Sequence, residues 1–146
     1  MALRFSKGVW FISISSVLAA LLFAYANLPE EVLVSQQGTD FLYVDREGFF
    51  YGSLGVVTII NSLVFILSAI FNKDIPLRTW FNGLISVLNI FFIISFLLIN
   101  AINSTERFEL ERTAFLIYGS IILIAVWAIS WPIYLLVRKF WIKPAA

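Results

Sequence analysis

Residues 80–100 read WFNGLISVLNIFFIISFLLIN, an apolar run whose one strongly polar interior side chain is Asn89. A run of about 20 apolar residues, at 1.5 Å of rise each, covers a hydrocarbon core of ~30 Å. In lipid the backbone must satisfy its own hydrogen bonds, so the stretch is a helix. An amide at its midpoint needs a partner, because an unpaired amide in hydrocarbon is costly.

Three more stretches share this character. Apolar segments at 8–26, 50–71, 80–102 and 114–137 contain no Asp, Glu, Lys or Arg. The sequence therefore predicts an all-α integral membrane protein: a single domain over 1–146 with four transmembrane helices and an outer loop at 27–49. Composition agrees. The chain is 61% hydrophobic and 13% charged, whereas soluble domains are about 45–50% apolar and about 25% charged. The start has a basic beginning, an apolar run and Ala24-Tyr25-Ala26 before Asn27, the pattern of a secretory signal. We read it as a retained first span.

Direction follows from the bases. Arg4, Lys7, Lys73, Arg78, Arg138, Lys139 and Lys143 fall at one end with a single acid, Asp74. Arg46, Arg107 and Arg112 fall at the other, among eight acids. The positive-inside rule expects both termini in the cytoplasm of a cell with this protein in its inner membrane. Trp10, Trp80 and Trp141 sit at the expected inner boundary, where an amphipathic ring is comfortable. Trp127 and Trp131 lie deeper and read as packing residues.

The interior polar residues form stripes. On the third helix Asn82, Ser86 and Asn89 share a face; on the second, Thr58, Asn61, Ser62 and Ser68 share another. Asn61 and Asn89 lie ~15 and ~13.5 Å from the inner boundary. They are expected to meet across an antiparallel helix pair, as are Ser68 and Asn82, in a polar clamp between helices. On the first helix Ser13, Ser16, Ala20 and Ala24 form a small-residue stripe for close backbone approach, within this chain or with another protein.

The connections carry the remaining signals. EVLVSQ and TDFLYV flank Gln37-Gly38 and predict a small outer hairpin. Its acidic surroundings make Glu30, Glu31, Asp40, Asp45, Arg46 and Glu47 a candidate recognition loop. Pro76 fits the first turn of the third helix. Asn103 and Glu106 have the spacing to cap an extension of the fourth. Pro132 removes one helical hydrogen bond and is expected to bend that helix.

Several chemistries are excluded outright. The chain has no cysteine and no histidine, so thiol redox chemistry, Cys/His zinc and histidine-ligated haem are impossible. Charge-free spans argue against a proton-coupled carrier. The outer carboxylates match no calcium loop and are interleaved with arginines, so they read as surface ion pairs. No cofactor is expected, nor any nucleic-acid partner at a net charge of +1.

Leu28, Pro29, Glu30, Val32 and Gly38, ahead of a second span, resemble the SdpI-type small bacterial membrane proteins. This resemblance covers roughly residues 25–60. Leu33, Ser35 and Gln36 stand where that family usually has a second proline and a histidine-aromatic pair. The resemblance implies a bacterial inner-membrane setting and recognition through the outer loop, with no catalytic residues.

The expectation is then a non-enzymatic inner-membrane protein, an accessory or structural subunit of a larger membrane complex. Its partners are the bilayer and other integral membrane subunits or further copies of itself. An immunity or ligand-sensing protein of the SdpI type is the alternative, and a passive pore or lipid-handling protein the third.

Overall fold

The computed structural model describes residues 2–37, 40–71, 73–104 and 110–141. Helix α1 (Ala2–Asn27) leads into a hairpin of β1 (Glu31–Gln37) and β2 (Asp40–Asp45). Helices α2 (Arg46–Ile70), α3 (Ile75–Ile102) and α4 (Leu110–Trp141) follow. All four helices are long and apolar enough to cross a membrane, which points to a multi-pass membrane protein.

Helices α2 and α3 begin ahead of their apolar runs because acidic flanking residues cap them. Asp45 begins α2, its carboxylate accepting from the Gly48 N–H at 2.6 Å. A Cβ on Gly48 would come within 2.8 Å of that carboxylate, so the cap uses the missing side chain. As a result α2 starts at Arg46 and takes four residues from the loop expected at 27–49. Asp74 caps α3 in the same way through the Leu77 N–H at 3.1 Å, with Pro76 in the first turn as expected. Asn103, expected to open the fourth helix, instead ends the third: it is the C-cap of α3. Residues 105–109, including Glu106, lie outside the described set. Pro132 sits inside α4 without ending it.

The packing is uneven. The most extensive interface joins α1 to α3, and the two run parallel: Ser6 meets Asn82 and Ser13 meets Asn89, each 76 residues apart. Seven residues separate the two contacts on either helix, the repeat that holds a left-handed helix pair together. Helix α2 packs antiparallel to both, placing Phe49 against Phe96 at one end and Phe71 against Phe81 at the other. The core lies toward the hairpin end, where Val17, Leu21, Ala24, Leu28, Val32, Val57 and Phe96 are buried together.

Helix α4 touches α3 and no other described helix. Two tryptophans exchange hydrogen bonds across that contact. The Trp80 Nε1–H donates to the Trp127 carbonyl and the Trp127 Nε1–H donates to the Trp80 carbonyl, both at 3.0 Å. Breaking a helix's backbone pattern is normally unfavourable, but a carbonyl has a second lone pair to offer. The Trp127 ring packs against Gly83, where an added Cβ would collide with Cζ2. Gly83→Ala is therefore expected to push Trp127 out of its seat. Overpacking of this kind costs about 1–3 kcal/mol; the check is a lowered unfolding midpoint in detergent with a shifted tryptophan emission. Unaltered emission and midpoint would show that α4 is not held at this point.

Candidate functional site: a buried amide network and an outer hairpin

Asn89 is fully buried, and Asn61 nearly so. Their side chains face each other as a reciprocal amide pair: Asn61 Nδ2 donates to Asn89 Oδ1 at 2.9 Å, and Asn89 Nδ2 donates to Asn61 Oδ1 at 3.2 Å. Each amide has a second proton to place. Asn61 gives its own to the Val57 carbonyl at 2.9 Å. Asn89 gives its own to Ser13 Oγ on α1 at 3.0 Å. The Asn61 oxygen also accepts from the Trp10 indole at 3.2 Å, and the Ser13 hydroxyl donates to the Trp10 carbonyl at 2.8 Å. Every amide proton is used, so the network closes on itself across three helices.

A second polar layer lies one heptad toward the termini. Asn82 Nδ2 donates to Ser6 Oγ at 3.2 Å, and the Ser6 hydroxyl donates to the Leu3 carbonyl. The expected pairing of Asn82 with Ser68 does not form in this arrangement; Asn82 turns to α1 instead, because the parallel α1–α3 contact is the closer one. Ser68 remains buried on α2. Ser86 is buried too, its hydroxyl donating to the Asn82 carbonyl.

Three expected positions face the wrong way. The buried stripe of α2 runs Val57, Asn61, Val64, Ser68, and Thr58 and Ser62, each one residue off that line, are exposed. On α1 the buried line passes through Val17, Ala20 and Ala24, with Ser13 half-buried. Ser16 is exposed and donates to the Ile12 carbonyl. The small-residue face of α1 is covered by α3 of the same chain, so Ala20 and Ala24 are packing residues of this fold. Ser6 and Trp10 are the members that sequence reasoning missed. The signal was there: Ser6 and Ser13 repeat the seven-residue spacing of Asn82 and Asn89.

The hairpin sits on the end of this core where α1 finishes and α2 begins. Its strands pair from Glu31–Asp45 to Gln37–Asp40, with an irregularity between Leu33 and Ser35. Val32 is fully buried and Val34 packs beside it. Of the turn expected at Gln37-Gly38, Gln37 ends β1, and Gly38 and Thr39 lie outside the described set. The unexpected element is Asn103. Its Oδ1 accepts from the Leu33 N–H at 2.8 Å, and its Nδ2 donates to the Leu33 carbonyl at 3.0 Å and the Ile99 carbonyl at 2.8 Å. The side-chain amide pairs with Leu33 as a neighbouring peptide would, so the outward edge of β1 is occupied there.

The candidate recognition residues divide. Glu30, Glu31 and Glu47 are exposed. Asp45 is exposed but engaged as the α2 cap. Arg46 is half-buried: its N–H donates to the Glu30 carbonyl at 2.9 Å, its guanidinium donates to the Leu28 carbonyl at 3.4 Å and lies 5.2 Å from the Tyr25 ring centre. It ties the hairpin down more than it offers a charge. The side chains of Asp40, Glu106, Glu109 and Glu111 lie outside the described set. Among the described residues no group of carboxylates gathers closely enough to hold a metal ion. On β2 the side chains of Phe41, Leu42 and Tyr43 are 51%, 57% and 53% exposed, Phe41 and Tyr43 on one face and Leu42 on the other.

No protein-family model matches the chain, and no curated protein and no solved structure shows significant similarity to it.

Two replacements probe these features. Asn89→Leu removes three interhelical bonds worth ~0.6 kcal/mol each in a membrane setting. A loss of about 2 kcal/mol is expected in a denaturant titration in detergent, and the double Asn61→Leu/Asn89→Leu should cost less than the two singles added. Asn103→Ala frees the edge of β1. Exchange of the Leu33 amide should then rise about tenfold, the equivalent of ~1.4 kcal/mol, while the helices keep their unfolding midpoint. An unchanged Leu33 rate would dismiss the tie.

Proposed function

We propose that the protein is a non-enzymatic bacterial inner-membrane subunit that engages a partner through the outer face of its hairpin. Both chain ends then lie in the cytoplasm and the hairpin on the far side. The Lys/Arg asymmetry between the two ends supports this direction. Retention of the first span is supported by its packing: α1 supplies Val17, Ala20, Leu21 and Ala24 to the core, which cleavage after Ala26 would strip away.

The observation that carries the reading is β2. A hairpin alone is marginally stable, yet this one is anchored by Val32, Arg46 and Asn103. The anchoring holds β1 against the helices and leaves β2 as an edge strand with three consecutive large apolar side chains exposed. Such an edge is a template for another strand. Flanking Glu30, Glu31 and Glu47 favour a partner segment carrying positive charge. The polar groups of the interior are occupied in holding helices together, which fits a scaffold better than a reaction centre.

The test is purification in a gentle detergent. A stoichiometric partner should co-purify, and Phe41→Ser/Tyr43→Ser should release it while the protein itself stays folded. The same strand suits a secreted toxin as ligand, in line with the SdpI resemblance. A lone protein that nonetheless protects cells against a toxin, with protection lost in the double variant, would favour that reading. A lone protein with neither property defeats both.

A further inference from the structure

The groove between α3 and α4 lies toward the end where α3 begins and α4 finishes. It measures about 450 Å³ and is walled by Pro76, Thr79, Trp80, Trp127, Trp131 and Tyr134. That volume lies within the range of ligand sites, ~300–1,000 Å³. Its rings form a continuous wall, with Trp80 and Trp131 centred 5.8 Å apart and Trp131 and Tyr134 5.3 Å apart.

Apart from the Trp131 indole and the Tyr134 hydroxyl, the polar side-chain atoms of this wall are engaged within the protein. The Trp80 indole serves the Trp127 carbonyl and Ser130 Oγ. The Trp127 indole serves the Trp80 carbonyl, the Ser130 hydroxyl the Trp127 carbonyl, and the Thr79 hydroxyl the Ile75 carbonyl. What the groove presents is a largely apolar surface, suited to a hydrocarbon chain and poor for a polar solute.

Its mouth is basic. Arg138 lies four residues beyond Tyr134, on the same face of α4, with Lys139 beside it. Lys73 lies two residues before Ile75, which lines the groove on the α3 side. All three are exposed. Asp74, the one acid at this end of the sequence, is engaged as the α3 cap.

We infer that this groove is a binding site for a phospholipid with a net negative headgroup, an acyl chain lying along the tryptophans and the phosphate between Lys73, Arg138 and Lys139. The inference rests on the membrane reading but not on any partner at the hairpin. Basic pockets between helices on the cytoplasmic side are where anionic headgroups are held.

The experiment uses the full chain in phosphatidylcholine vesicles with rising amounts of dibrominated phosphatidylglycerol or dibrominated phosphatidylcholine, whose bromines quench tryptophan. Half-quenching should need about fivefold less of the anionic lipid for each base engaged. Lys73→Gln/Arg138→Gln/Lys139→Gln should erase the difference. Thr79→Phe, which fills the groove and leaves the bases in place, should erase it too. Equal quenching by the two lipids overturns the site, as does resistance to both, which would mean that a protein segment occupies the groove. A preference that survives Thr79→Phe also overturns it, assigning the effect to surface charge alone. Failure of the membrane reading is seen separately, as protein that does not float with vesicles of any composition.

Discussion

An amide sealed in an apolar interior has to find hydrogen-bond partners, and Asn89 takes its own from other helices, while Ser86 one turn away on α3 serves the Asn82 carbonyl. Its partners are Asn61 on α2 and Ser13 on α1. Burial of this one side chain therefore fixes how three helices stand along and about one another. Apolar packing alone is permissive, since Leu, Ile, Val and Phe tolerate sliding by a turn. Closing the Asn61–Asn89 pair does not. The parallel offset of α1 and α3, repeated at Ser6 and Asn82, follows from the same demand.

The remainder of the molecule is arranged around this trio. The hairpin closes its outer end, with Val32 and Leu28 completing the core that Val17, Leu21 and Ala24 begin. The fourth helix leans on α3 from outside, held by one glycine and an exchange of indole protons. The structure thus has a firmly registered part and a lightly attached one. Their surfaces differ accordingly: the hairpin edge is apolar and flanked by acids, while the α3–α4 groove is aromatic and flanked by bases.

How much of this could be read from the sequence depends on how local each feature is. The four helices were legible because charge-free runs of about 20 residues leave little choice. The hairpin was legible from two β-branched and aromatic runs around a glycine. That Asn61 and Asn89 lie at one depth follows from counting residues. Which neighbour a polar side chain selects is another matter. Asn82 could face Ser68 or Ser6 by depth alone, and only the closer approach of α1 decides between them. Thr58 and Ser16 sit one residue from a buried line, a 100° turn that depth does not reveal. Asn103 has the look of a helix start, yet its partner is a backbone 70 residues earlier, and no local pattern encodes that.

Asn103 also sets how load moves through the molecule. The hairpin is gripped at Leu33 by the last residue of α3, the helix that carries Asn89, Asn82, Trp80 and Gly83. A pull on the strands is thus delivered to this stiff rod as well as to α1 and α2, which the strands join directly. That rod reaches from the hairpin to the tryptophan wall at the opposite end, so the two extremities of the protein share one mechanical axis.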